Sequence, residues 1–500
     1  MLRARLALLL LIASCSSEDS GGKSPSSSLV AGLGVSEISV NQGVKVPLMA
    51  GGQLVSGAPP IVAGRAGLVR VSVSPEPSWQ PREVVARLEL SNAAGPLQPL
   101  EVKQLVVGPS SDADLASTFN FDLSGDVVAP DLQFAVSLLE VSGTSQGTPS
   151  PAAAFPPQGK APLPAQSTAG PLRMVLVPLQ YDADGSGRLP VLDDAQVALY
   201  RDALQRLYPT PGVEIRIHDP VVYDQPISPN GNGWGEVLQF LLMRRNQDRI
   251  TNEAAANEYY YGLFMPKPSF ALYCAGSPVC VLGLSTALPD ATKEFVRGSV
   301  GVGFVGPKSS GTLAHETGHA HGRLHAPCAP GGFIQNTDPA FPYPEGRIGS
   351  WGFDLGAKLL YDPDGAARDF MGYCDPIWVS DYTWRAIFER IAYVNSSADT
   401  ASGGGGGGEP MWMVSVDGEG RATLGQRVDL AGAPSGELRW VDVLDESGSV
   451  RRRDPARFHP YSHLPGGFML VPAPQAGDRS FRIGPSTVRW GGGGKPLPFR

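Results

Sequence analysis

Apolar and polar positions alternate with period two through the first third of the chain and again at its end. Val69/Val71/Val73, Ala86/Leu88/Leu90 and Leu132/Phe134/Val136/Leu138 each line one face of an extended backbone, with Gly, Pro and Asn clusters between them. This pattern predicts an immunoglobulin-like antiparallel β-sandwich over residues 30–142. The middle of the chain changes period. Arg173–Leu179 reads as a strand. Val197, Tyr200, Leu204 and Leu207 then recur at steps of three and four, which predicts a helix from Asp193 to Tyr208. Val213–Ile217 reads as the next strand, Gly233–Asn257 as helical, Ser269–Leu284 as a hairpin and Ser380–Val394 as a last helix. Short alternating runs return beyond Met411, where Val414/Val416 face away from Met413/Ser415. They predict a small β domain over 411–500.

Punctuation between these segments sets the domain plan. Residues 143–170 are rich in Pro, Ala, Ser and Gly and read as a linker, and Gly403 to Gly408 mark a second linker over 401–410. The central domain then spans 171–400. The expected class is multidomain α+β, with this central domain between an N-terminal sandwich and the small C-terminal β domain. High glycine (61) and proline (47) favour short strands and many turns. The net charge of −8 is unpatterned and argues against nucleic-acid binding. Oligomeric state is not legible.

One stretch carries most of the chemistry. His315-Glu316-Thr317-Gly318-His319-Ala320-His321-Gly322-Arg323-Leu324-His325 fits H-E-x-x-H-x-x-G-x-x-H at every fixed position. Histidines at i and i+4 share one helix face and can grip one metal ion. Glu316 can serve as general base toward a water held there. Gly322 can take a positive φ and stop the helix, so that His325 closes as third ligand. Three histidines leave a fourth position open, as a catalytic zinc site requires. Ser310 or Thr312 is the expected helix cap. His321, two positions after His319, should point away from the metal and lie in solvent or behind the ligands. His218, His459 and His463 stand alone in the sequence and are assigned no chemistry.

This run resembles the metzincin metallopeptidases. The segment Asp369-Phe370-Met371-Gly372-Tyr373-Cys374 resembles their methionine turn. The resemblance implies a zinc endopeptidase acting on a protein or glycoprotein. It places Met371 beneath the histidines and Tyr373 as an oxyanion donor able to contact zinc. It also implies that Cys328 and Cys374 meet below the metal and pair. Cys274 and Cys280 flank a turn-rich loop that lets them close a hairpin. The rival class is a non-catalytic adhesin or glycan-binding lipoprotein on a peptidase-like scaffold; the intact Glu316 argues against it.

Two further readings concern export and calcium. Residues 1–14 read as a signal peptide, with Arg3 and Arg5 ahead of a short apolar run. Ile12-Ala13-Ser14-Cys15 resembles a bacterial lipobox, which implies lipidation of Cys15. A flexible tether over 15–29 would follow, anchoring the chain in the cell envelope, at the outer membrane or cell surface. Lipidating Cys15 leaves four cysteines, which allow two disulfides in an oxidising compartment. Asp182, Asp184, Ser186 and Asp193 stand at calcium-loop spacing, with Gly187 between. Against calcium, a strand precedes the loop, and Asp193 can instead cap the following helix.

Overall fold

The computed structural model describes residues 28–141, 147–287, 291–292, 294–330, 334–398 and 410–491. Cys15, the expected signal peptide and most of the expected tether lie outside them. No helix among the described residues is long and apolar enough to cross a membrane.

The expected α+β class with a metzincin-like catalytic domain does not stand. The chain is predominantly β, with thirty strands against five α-helices among the described residues. The physical reason lies in the glycines, prolines and period-two segments, which favour extended backbone over long helices. Even the stretch read as a linker holds short strands at Ala154–Phe155, Ala161–Pro162 and Ala165–Gln166. The first two pair with Gln133–Glu140, and the third runs parallel to Ile61–Val62.

Two sheets face each other in the N-terminal third. One contains Leu33–Asn41, flanked by Lys45–Ala50 and Gly67–Pro75. The other is centred on Arg82–Asn92, flanked by Leu100–Val106 and Gln133–Glu140. Val69, Val71 and Val73 from the first meet Leu88, Leu90, Phe134 and Val136 from the second in one core.

The central sheet positions the site. Its strands run in the order Val213–Ile217, Leu172–Tyr181, Glu258–Phe264, Gly298–Val302, Gly283–Ser285. The first four are parallel, and the edge strand Gly283–Ser285 is antiparallel. Leu172–Tyr181 is buried on both faces, which explains its nearly unbroken apolar run. Leu172, Met174 and Leu176 join the core containing helices α1 (Asp194–Leu207), α4 (Pro307–Ala320) and α5 (Asp381–Ala398). Val175, Val177 and Leu179 join a second core beneath α2 (Trp234–Ile250).

Helix α4 begins three residues before Ser310. Pro307 opens it behind Gly306, where a missing N–H costs nothing and φ is already helical. Ser310 and Thr312 instead bond back to the carbonyls of Pro307 and Lys308. The remaining α-helix, α3, is only Phe270–Cys274, and Cys274 at its end is bonded to Cys280.

The C-terminal sheet has seven strands, and Met411, Met413, Phe468 and Leu470 complete the core beneath α2. Arg451, Arg452 and Arg453 lie within the strand Val450–Pro460. They pair with Asp478 and Asp442.

Cys328 and Cys374 are joined across a sequence separation of 46 residues, tying the segment after α4 to the turn around Met371. Loop closure of that length stabilises by roughly 3–4 kcal/mol in the chain-entropy model. A Cys328→Ser/Cys374→Ser variant should lose about that much in denaturant unfolding. An unchanged midpoint would show that this tie does not support the fold.

Candidate metal centre

The end of α4 builds the centre. Its last turn closes with Gly322 at φ 82°, where its N–H bonds to the His319 carbonyl at 2.8 Å and that of Arg323 to the Gly318 carbonyl at 3.0 Å. The reversed chain returns His325, whose N–H bonds to the Asn336 carbonyl at 3.0 Å.

Each ligand ring is fixed by a backbone carbonyl. His315 Nδ1 donates to Phe370 O at 2.8 Å, His319 Nδ1 to Arg323 O at 2.7 Å and His325 Nδ1 to Gln335 O at 2.5 Å. These bonds place the proton on Nδ1 and leave the Nε2 lone pair free in all three rings. The lone pairs converge: His319 Nε2 lies 3.2 Å from His315 Nε2 and 3.1 Å from His325 Nε2. Tetrahedral zinc at 2.0–2.1 Å from nitrogen would set such edges at about 3.3–3.4 Å. Two proton-free acceptors at that range repel unless a cation lies between them, so the three residues fit a metal ion. Burial holds the rings neutral, the form that ligates. It lowers His315 to about 3, His325 to about 2 and His319 well below the usual range. The charge of neighbouring imidazoles adds to each shift.

Glu316 stands beside the ligands and is buried. Its Oε2 has no hydrogen-bond partner, and Oε1 lies 2.7 Å from His463 Nε2, close but not aligned as a hydrogen bond. Burial raises the carboxyl pKa, and His463 partly offsets that. The edge strand leaves room for it: a Cβ at Gly283 would overlap the Glu316 side chain.

The second turn forms the floor. Asp369 is buried, receiving Met371 N–H on Oδ1 at 2.9 Å and Ser380 N–H and Oγ–H on Oδ2 at 2.9 and 2.5 Å. This holds Met371 directly under α4. A Cβ at Gly318 would run into Met371 Sδ, so the glycine inside the helix is required by close packing. Tyr373 Oη lies 3.1 Å from His325 Nε2 and also contacts His463 Nδ1. Tyr373 is 43% exposed as a residue, with its hydroxyl against these two histidines. Burial, then the charge of Glu316, raise its pKa.

His463 is the residue that sequence reasoning missed. It comes from the turn after Val450–Pro460, and its ring joins His315, His319 and His325 in one group whose ligand atoms all lie within 4.8 Å. Nothing near His463 in sequence signals this. Among the described residues no other set of three or more His, Cys, Asp or Glu gathers in this way. Of the four positions expected to hold calcium, three make contacts within the protein. Asp184 holds Ser186 and Arg188, and Asp193 caps α1 by accepting Gln196 N–H at 2.9 Å. His321 is buried rather than solvent-exposed, stacked on Tyr259 at 4.1 Å and turned from the ligands.

No family model matches this chain, and no curated protein matches it. Solved structures that match include a candidate β-galactosidase from Bacteroides fragilis. It is 11% identical, with 47% of this chain and 39% of that one covered, at a TM-score of 0.14. Another is a calcium-binding mutant of Bacteroides uniformis β-glucuronidase 2. It is 12% identical, with 47% and 28% covered, at a TM-score of 0.15. The chain thus spans less than half the length of either. The expected assignment to a metzincin-like enzyme class is withdrawn. The chain is predominantly β and is not of the expected fold class. At such TM-scores these matches transfer no activity to this chain.

Two outcomes follow from this packing. Gly318→Ala should destabilise the protein by about 1–3 kcal/mol through overpacking, against a helix-propensity gain of about 1 kcal/mol. Thermal unfolding would register it, and adding Met371→Ala should recover part of the loss. The second outcome concerns pH. Burial lowers His321 to about 3, so the unfolded chain takes up this proton first as pH falls below about 6.5. Stability from neutral His321 is complete above that pH and is lost toward pH 3, by up to about 1.4 kcal/mol per unit. His321→Phe, which keeps a ring on Tyr259, should flatten that slope in metal-free protein unfolded at pH 7 and pH 5.

Proposed function

We propose that this chain is a zinc-dependent hydrolase that cleaves amide bonds of polypeptides, with His315, His319 and His325 as ligands. The convergence of three carbonyl-pinned Nε2 atoms beside the buried, half-unpartnered carboxylate of Glu316 carries this reading. Zinc, when bound, supplies Lewis-acid polarisation of the carbonyl and makes water acidic enough to deprotonate near neutral pH. Glu316 takes the proton of the attacking water and returns it to the leaving amine. Its raised pKa brings it closer to the working pH, where such transfer is efficient. Tyr373, kept protonated, donates through Oη to the developing oxyanion. Met371 packs beneath α4 and takes no part in proton transfer.

A polypeptide substrate is supported by the sheet edge. Residues around Ser285 bond to an extended segment of this same chain, so the strand next to Glu316 is competent to pair with a peptide. An exported, lipid-anchored location through Cys15 belongs to the same proposal, and two disulfides are consistent with an oxidising compartment.

The purified protein should carry about one zinc per chain, and His315→Ala and His325→Ala should lose it. Glu316→Gln should keep the metal and lose hydrolysis of an unfolded protein such as casein by about 10²–10⁴-fold. Full metal in either histidine variant, or full turnover by a metal-loaded Glu316→Gln protein, would refute the assignment.

A further inference from the structure

The turn that carries His463 is held in the site by its backbone. Ser462 N–H donates to Ser285 O at 2.9 Å, and Ala287 N–H donates to Pro460 O at 2.8 Å. Ser285 N–H in turn donates to Ser462 Oγ at 3.0 Å. Thr286 and Tyr461 form an antiparallel bridge. Residues 460–462 therefore lie against the edge of the central sheet as an added strand, the way an extended peptide adds to an open edge.

Side chains fasten the same turn. Asn336 Nδ2 donates to Tyr461 O and Ser462 O, both at 3.0 Å, while its own carbonyl receives the N–H of His325. Asn336 has φ 52°, an uncommon conformation that asparagine tolerates. One residue thus couples the third-ligand loop to the turn. Gln239 Nε2 donates to Tyr461 Oη at 3.0 Å and to Ser415 Oγ at 2.9 Å, joining α2 to the C-terminal sheet. His463, with its side chain 11% exposed, is the group this arrangement delivers beside Glu316 and Tyr373.

We infer that the turn Pro460–His463 is an internal plug: it occupies the peptide-binding edge, and His463 supplies the fourth ligand of the metal centre, holding most of the full-length protein latent and leaving a small competent fraction. This inference rests on the hydrolase reading above. Three features favour a plug over a catalytic role. The backbone pairing uses the edge that a substrate strand would need. The ring faces Glu316 at 2.7 Å, where the attacking water would have to stand. Its ligand atom also falls inside the same 4.8 Å group as the three pinned imidazoles. Removing the histidine should open one coordination position and free Glu316.

The test uses full-length protein loaded with zinc and, separately, with cobalt. X-ray absorption should count four imidazoles in the unaltered chain and three plus oxygen in His463→Ala. The cobalt absorption spectrum should shift between them. Casein hydrolysis should rise on the order of tenfold or more in His463→Ala, because the competent fraction rises. It should return to background in His463→Ala/Glu316→Gln. Asn336→Ala, which loosens the turn and keeps the histidine, should give a smaller rise in the same direction. Three imidazoles in the unaltered chain would overturn the plug and leave the hydrolase reading standing. A fall in hydrolysis on His463→Ala, with zinc retained, would also overturn it and make His463 catalytic. Zinc retained in full by His315→Ala would instead refute the metal centre itself.

Discussion

Three unprotonated imidazole nitrogens held within 3.1–3.2 Å of their neighbours impose the central constraint on this molecule. Lone pairs at that distance repel, and burial removes the water that would relieve them. The arrangement persists because each ring is anchored behind, by the carbonyls of Phe370, Arg323 and Gln335. Those carbonyls belong to three separate segments. Fixing them requires the helix stop at Gly322, the loop through Asn336 and the turn around Met371. The disulfide Cys328–Cys374 and the buried Asp369 bind two of these segments to each other and to α5.

The site is therefore assembled at a junction rather than on one element. Helix α4 alone supplies two of the clustered histidines and the carboxylate. The loop after it supplies the third histidine, the second turn supplies the floor, and the edge strand supplies clearance through Gly283. Glycines at 283, 318 and 322 serve distinct ends: space for a carboxylate, contact with a sulfur atom, and a left-handed backbone. None is exchangeable for alanine on the grounds that governs the next.

What was legible in the sequence follows the range of the interactions. Spacing within α4 displays His315, Glu316 and His319 because a helix converts sequence offset directly into direction. His325 was legible through the single glycine that turns the chain. The pairing of Cys328 with Cys374, and the place of Met371, came from resemblance and not from any local pattern. The overall class was misjudged because strands such as Ala154–Phe155 and Ala161–Pro162 exist only through pairing with Gln133–Glu140, outside their own segment. His463 was invisible for the same reason. It reaches Tyr373 across 90 residues, and its own neighbourhood, Tyr461-Ser462-His463-Leu464-Pro465-Gly466, reads as an ordinary hairpin tip. His321 shows how far offset carries. Offset turned it from the metal but left solvent and burial both open, because the aromatic surface of Tyr259 that buries it comes from another strand.

The backbone seam between Ser285 and Ser462 has a consequence for solubility. A strand at the open edge of a sheet presents unpaired N–H and C=O groups that recruit other chains, and proteins cover, bend or charge such edges to stay monomeric. Gly283–Ser285 is short, uncharged and buried, so none of its own side chains discourages pairing. Residues 460–462 cap that edge with a partner that cannot diffuse away. Displacing this segment would leave the strand in need of a new partner, and without a peptide in reach, that partner would be a second copy of the chain.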